Sequence, residues 1–142
     1  MQPNWTTILN DGFGWGTAEA FGEKLSHHIS SPILTISYFD DDVFEMNIYL
    51  NGSQQTGQIW CSDLTREDYG LREDGADISI LVNILGHQHA AELNEFLAIE
   101  GCEEAIGKLE QMIGIPLWIH SDWFGDMEDE DVKLQFKQYN FN

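Results

Sequence analysis

An α+β domain, a mainly antiparallel meander with three or four helices packed on it, is what this 142-residue sequence predicts, and three observations carry the prediction. Phe44, Met46, Ile48 and Leu50 alternate with Glu45, Asn47 and Tyr49, which is the period of a half-buried strand. Ala105, Ile106, Leu109, Met112 and Ile113 recur at helical spacing from Cys102 to Ile113, with Gly114 as a stop and Pro116 beyond it. No internal repeat, low-complexity linker or change of composition divides the chain, so residues 1–142 read as a single acidic α+β domain.

The other elements follow in order. Thr6 to Leu9 is expected as a short strand, followed by a glycine-punctuated loop from Asn10 to Gly16. Thr17 is then placed as the N-cap of a helix reaching about Ser30, with Ala18, Phe21, Leu25 and Ile29 on one face and Pro32 past its end. Leu34, Ile36 and Tyr38 share a strand face, and Asp40, Asp41 and Asp42 join this strand to the next as a hairpin. Asn51-Gly52 signals a second turn, with Gln58 to Cys61 as a third strand of the meander. Leu64 to Gly75 reads as a polar loop; the apolar run Ile78 to Leu85 is read as a helix, although its periodicity fits a strand as well; and Ala90 to Ile99 reads as another helix, with Leu93, Phe96 and Leu97 at helical spacing. Ile115 to His120 is expected as a short strand, and Val132, Leu134 and Phe136 alternate in a last one.

Hydrophobic residues make up 42% of the chain and aromatic ones 12%, enough for a packed core and too many for a disordered acidic tail. The 25 Asp and Glu against 6 Lys and Arg give a formal net charge of −19. That potential repels phosphate backbones and anionic membranes and steers cations and basic proteins inward. A basic protein is therefore the expected partner, and nucleic acid and membrane are not. Solubility alone, or a salt-adapted source, is the competing explanation of the acidity. Cys61 and Cys102 are too few for a disulfide framework and form no C-x-x-C pair, so both are expected reduced and buried. Residues 1–5 show no basic region leading into an apolar stretch, and no window approaches the roughly 18–20 apolar residues of a membrane span, so the expected address is the cytoplasm.

Sites with specific chemistry are sparse. Gly12, Gly14 and Gly16 precede a helix, but their spacing matches no phosphate-binding loop, no Lys or Arg lies between Met1 and Glu23, and Asp11 would oppose an anion. His87 and His89 share a face only in extended chain, whereas His89 and Glu92 do so only in a helix, so no metal site is expected there. Asp40 to Asp42 and the acids of 126–131 lack the EF-hand pattern. No nucleophile elbow, zinc-protease or kinase motif occurs, and neither a catalytic residue nor a cofactor is expected. The acids themselves stand out. Glu92, Glu95, Glu100, Glu103 and Glu104 occur with no Lys or Arg among them, and Glu104 with Lys108 is the one i, i+4 pair available. Asp122, Asp126, Glu128, Asp129, Glu130 and Asp131 form a second unopposed cluster beside Trp123 and Phe124. These residues, with Asp40, Asp41 and Asp42, are the expected partner-binding set. Trp60 and Trp118 are expected in the core.

In size, acidity and the segments Ser37–Glu45 and Gly114–Ile119, the chain resembles the immunity proteins of bacterial polymorphic and contact-dependent toxin systems. The resemblance implies a protein that binds a cognate toxin domain, often a basic nuclease, and blocks its active site or substrate surface. It extends over the character of the whole chain and transfers no individual functional residue. A small enzyme or small-molecule-binding domain with a pocket between helices and sheet is the alternative, and a generic adaptor or nucleic-acid mimic a third.

Overall fold

The computed structural model describes residues 5–117, together with Asp131, Leu134, Phe136, Lys137 and Tyr139. It has the expected α+β architecture: a three-stranded antiparallel sheet in the order β1 (Ile33–Phe39), β2 (Val43–Leu50), β3 (Ser53–Trp60). Five α-helices are formed among the described residues rather than three or four: α1 (Thr17–Ser26), α2 (Asp63–Tyr69), α3 (Ile78–Leu85), α4 (Ala90–Leu97) and α5 (Cys102–Ile113). Helix α1 covers one face of the sheet, and α3 to α5 cover the other.

Side-chain alternation sorts the strands onto these layers. On the α3–α5 side, Leu34, Ile36 and Tyr38 stand opposite Ile48, Met46 and Phe44, and Phe44 in turn opposes Trp60. Phe44 stacks on Trp60 with ring centres 4.8 Å apart, and Trp60 meets Phe96 of α4 at the same separation. Leu81, Leu85, Leu93, Ile106 and Leu109 complete a core from which water is excluded. Helix α5 has its expected bounds and buries Ile106 and Leu109, with Ile113 half-buried against the same cluster. Gly114 ends it in the left-handed conformation.

Both hairpin turns need positive φ. Asn51 and Gly52 have φ of 52° and 80°, the pattern of a type I′ turn, which matches the right-handed twist of the strands. Asp40 and Asp41 have φ of 50° and 57°, and the Asp42 N–H donates to the Phe39 carbonyl at 3.0 Å. Aspartate is among the few non-glycine residues that enter this region readily. Past the second turn, the pairing shifts register between Ile48 and Tyr49.

Several expected elements are corrected. Residues 6–9 form no strand, and Ile115 to Leu117 are irregular. Gly16, not Thr17, is the N-cap of α1: the Thr17 hydroxyl turns back to the loop, accepting from the Gly14 N–H at 2.7 Å, while Glu19 accepts from the Gly16 N–H at 2.6 Å. The helix ends at Ser26, four residues early, because that end docks on the second turn. The Ser26 hydroxyl accepts from the Gly52 N–H at 2.9 Å, and a Cβ on Gly52 would run into the His27 ring. The expected loop after Leu64 contains α2, capped by Ser62 and stopped by Gly70 in the left-handed conformation. Trp118, the 118–120 part of the expected strand, and most of the expected last strand lie outside the described residues.

The face of α1 against the sheet is not its apolar stripe. Glu19, Gly22 and Ser26 are buried, whereas Phe21 is 41% exposed. Gly22 permits the approach: a Cβ there would lie 2.3 Å from Thr35 Cγ2 and 3.3 Å from Ile33 Cγ2. Gly22→Ala should therefore lower the melting temperature, although alanine favours an unpacked helix by about 1 kcal/mol. Combining it with Thr35→Ser, which removes the obstructing methyl, should recover part of the loss. In the other layer, Leu109→Ala should cost roughly 2–5 kcal/mol by chemical denaturation, as expected for a fully buried leucine.

Candidate partner-binding surface

The β1–β2 turn projects three exposed carboxylates from one end of the sheet. Its position is fixed from α5, where the Cys102 thiol donates to the Asp41 carbonyl at 3.3 Å. Asp41 and Asp42 form one wall of a cleft of about 700 Å³, and Asp63, at the start of α2, and Glu100, just before α5, complete its acidic lining. Trp60 and the two cysteines also line it, and both thiols are half-buried rather than buried as expected. Arg66 is the cation among its described lining residues, and its guanidinium is committed to main chain: Nη1 donates to the Arg72 carbonyl and Nη2 to that of Ile59 at 3.0 Å.

Beside the turn lies an aromatic patch. Trp15 packs on Phe39, the last residue of β1, at 5.2 Å, and Tyr69 meets Trp15 edge-on at 5.9 Å. Tyr69 remains 55% exposed, so the patch offers an aromatic anchor with a polar tip. The glycine loop that carries Trp15 thus serves packing and a surface.

Of the expected partner-binding residues, Asp40, Asp41 and Asp42 are brought together on this surface. Asp122, Trp123, Phe124, Asp126, Glu128, Asp129 and Glu130 lie outside the described residues, and Asp131 is exposed. Asp63 and Tyr69 join the surface without having been singled out by the sequence, and Glu100 joins it from the acidic run 92–104, which was noted for its charge and not placed in the partner-binding set. Their neighbourhood is created by chain crossings, and no local pattern announces it.

Other candidate chemistry resolves differently. Glu92 lies 3.4 Å from His89 Nδ1 and 3.6 Å from Lys108 Nζ, so the lysine pairs across α4 and α5 with Glu92 and not with Glu104 along its own helix. No group of three potential metal ligands is assembled among the described residues. Burial pushes the Cys61 thiol up, with Cys102 and Asp63 adding to the shift and Arg66 opposing it. That disfavours the thiolate a nucleophile requires. A second cavity, of about 510 Å³, runs between α1, β1 and the end of α5, lined largely by apolar residues that include Phe13, Phe21, Leu25 and Ile36.

Titratable groups also meet under α1. Glu19 accepts from the Ser37 hydroxyl at 2.5 Å, and Asn47 donates to Glu45 at 2.9 Å while accepting from Arg72 at 2.6 Å and Gln54 at 2.7 Å. Burial raises the Glu45 carboxyl above its ordinary range, and the Glu19 charge adds to this, against lowering by Asn47, Arg72 and Trp15. Burial likewise pushes the Tyr49 phenol up to about 12, with Glu19, Glu45 and Glu23 reinforcing it.

Comparison with known proteins finds no matching family model, no similar curated protein and no similar solved structure.

The Glu45 shift has a definite sign. A carboxyl with a raised folded-state value binds its proton more tightly when folded, so its contribution is favourable at low pH and is lost as pH rises through the folded value. Glu45→Gln should therefore raise the melting temperature near neutral pH, and the gain should shrink as pH is lowered into the carboxylate range. A gain independent of pH would assign the effect to packing instead of charge.

Proposed function

We propose that this chain is a binding protein that neutralises a basic protein partner, in the manner of the immunity proteins it resembles, with a toxin domain as that partner. The observation that carries the reading is the one-sided charge, −19 over the chain, of which Asp41, Asp42, Asp63 and Glu100 line a cleft at the β1–β2 end whose arginine is tied to carbonyl groups. Charge of one sign costs stability by self-repulsion, and a complementary basic surface would relieve that cost in the complex. The aromatic patch of Trp15, Phe39 and Tyr69 supports the same reading, because aromatic anchors ringed by polar residues are where binding energy concentrates. No helix among the described residues is long and apolar enough to cross a membrane. The cytoplasmic setting in which an immunity protein meets its toxin is part of the proposal.

A small-molecule-binding domain is the second reading, and the apolar cavity of about 510 Å³ favours it, since its volume falls within the usual range for ligand pockets. Genomic context separates the two. A neighbouring gene for a long secreted protein with a basic C-terminal domain supports immunity, and a metabolic operon supports ligand binding.

Copurification from the source cell with a basic protein is the direct test. The association rate of that complex should fall about tenfold or more on adding salt, as exposed charges are screened. Replacing Asp126, Glu128, Asp129, Glu130 and Asp131 by Asn and Gln should slow association more than it speeds dissociation, with the fold retained. An on-rate indifferent both to salt and to these substitutions would reduce the acidity to a solubility device.

A further inference from the structure

Resting on that reading of the chain as a binder of a basic protein, we propose that the outer edge of β1 takes an extended segment of the partner as a fourth, antiparallel strand. The segment lays apolar side chains into the cavity between α1 and α5 and carries a lysine or arginine at its N-terminal end, beside Asp40 and Asp41.

Three independent observations meet along this edge. The first is the strand itself: among the described residues β1 pairs with β2 alone, and no other described main-chain group bonds to the main chain of Ile33, Leu34, Thr35, Ile36 or Ser37. The usual protection of an edge is missing as well. Ile33–Phe39 contains no proline and no charged residue, and its pairing with β2 is regular throughout, with no bulge to turn the edge away. The second observation is the cavity of about 510 Å³, which is lined by every residue from Pro32 to Tyr38 and, among the described residues, by none of β2. Successive strand side chains point to opposite faces, so a space that touches both faces of β1 and misses β2 runs along the outer edge. Ala18, Phe21 and Leu25 wall it on the α1 side, and Ile106 and Ile113 on the α5 side. The third is charge. Asp40 and Asp41 are the charged residues of its described lining, and they stand at the end where β1 leaves the sheet.

Together these features restrict the occupant. A strand edge between two apolar walls is matched by another strand, whose main chain pairs with the edge while its side chains alternate between the same two walls. A compact small molecule would leave most of the edge unpaired. Antiparallel pairing is the more stable per residue, and it sets the N-terminal end of the added strand beside Asp40 and Asp41. A lysine or arginine is attracted there, and an acid is repelled. A second copy of this chain fits poorly, because its own β1 brings no cation and the copy adds a further formal charge of −19. The chain's own alternating run from Val132 to Phe136 is not the occupant either. Leu134, at its middle, is 81% exposed and lies outside this lining.

The test follows backbone amide exchange in nitrogen-15-labelled protein during titration with acetyl-Lys-Val-Ile-Val-Thr-amide. Its reverse, acetyl-Thr-Val-Ile-Val-Lys-amide, has the same composition and charge, so general attraction to an acidic protein cancels between the two. The first peptide should slow the exchange of β1 amides and bind about threefold or more tightly than the reverse, the range of an exposed ion pair. Methylating the main-chain nitrogens of its two valines and its isoleucine leaves side chains and charge in place, and should weaken binding about tenfold or more by removing backbone donors. Combining Asp40→Asn with Asp41→Asn should make the two peptides bind alike. Asparagine tolerates the positive φ of both positions, so the turn should survive, and if the variant fails to fold, the comparison of the two peptides on the wild type decides alone. Equal binding of the two orders to the wild type, undiminished binding of the methylated peptide, unchanged β1 exchange, or no binding of either peptide overturns the proposal. So do β1 amides that are all slow to exchange in the free protein, since the edge is then already occupied by the chain itself or by a second copy. A basic partner that copurifies but leaves β1 exchange unchanged in the complex overturns the strand addition alone and leaves the partner reading standing. Failure to find any basic partner overturns that reading, and the peptide titration still decides the edge.

Discussion

Strand β2 is covered on both faces, and the rest of the structure answers to that constraint. Phe44, Met46 and Ile48 are sealed under α3 to α5, while Asn47 and Tyr49 are almost as inaccessible under α1. Among the described residues β2 is the one strand that is not an edge, and both layers touch it, although α1 also packs on β1 and α3 on β3. The two covers differ in kind. One is an apolar stack through Phe44, Trp60 and Phe96, and the other is a polar layer in which buried groups find partners, with the Thr35 hydroxyl as the exception. The need for partners explains why Arg72, far along the chain, reaches back to Asn47, and why Glu19 on α1 meets Ser37 on β1. It also explains why the chain after β3 cannot wander. Arg66 holds α2 to the Ile59 and Arg72 carbonyls, and Gln58 clips β3 to both the Leu97 carbonyl and the Ala76 N–H.

The same constraint decides where the candidate surface forms. Fixing α2 beside the end of β3 places Asp63 near the β1–β2 turn, and seating α5 on β2 brings Glu100 and Cys102 to the turn from the other side. The cleft is thus a by-product of how the covers meet at one end of the sheet. Nothing in it requires strain beyond the two positive φ values of Asp40 and Asp41, which aspartate accommodates. Trp60 joins the two regions, since one residue stacks in the core and contributes to the cleft wall.

Elements with strong periodicity were legible in the sequence. The β1–β2 hairpin, the Asn51-Gly52 turn and the bounds of α5 all follow from apolar spacing and turn chemistry, whereas the apolar run of α3 fits helix and strand alike. Misreadings occur where periodicity is silent or points the wrong way. Helix α2, Asp63–Tyr69, has no buried residue and no apolar stripe, so it depends on its caps, and Ser62 and Gly70 were the available signal. In α1 the apolar stripe of Ala18, Phe21 and Leu25 lines the cavity, while the adjacent stripe of Glu19, Gly22 and Ser26 packs on the sheet. Apolar spacing marks the packed face of a helix only where its target is apolar, and this face of the sheet is polar. The candidate surface was legible only in its Asp40–Asp42 part, because Asp63, Glu100 and Trp60 become neighbours through tertiary packing alone.

Part of the acidity has a local structural cause, and separating that part sharpens the functional argument. Glu19, Asp63, Glu92, Glu103 and Glu104 all lie in first turns of helices, where a carboxylate meets the positive end of the helix dipole. Asp77 caps α3, and its hydrogen bond with the Ser79 hydroxyl, followed by those with the Ile80 and Ser79 N–H groups, holds its carboxyl below the ordinary range. These acids would be favourable in a chain of any function. Asp40, Asp41 and Asp42 begin no helix: positive φ suits aspartate at 40 and 41, yet asparagine would serve that turn as well, and the three gather charge of one sign at an exposed tip. Glu100 likewise precedes the N-cap of α5 instead of entering its first turn. Asp41, Asp42 and Glu100 are thus three acids of the cleft lining that no helix terminus explains. That residue of unexplained charge, rather than the total of −19, is the stronger argument for a basic partner.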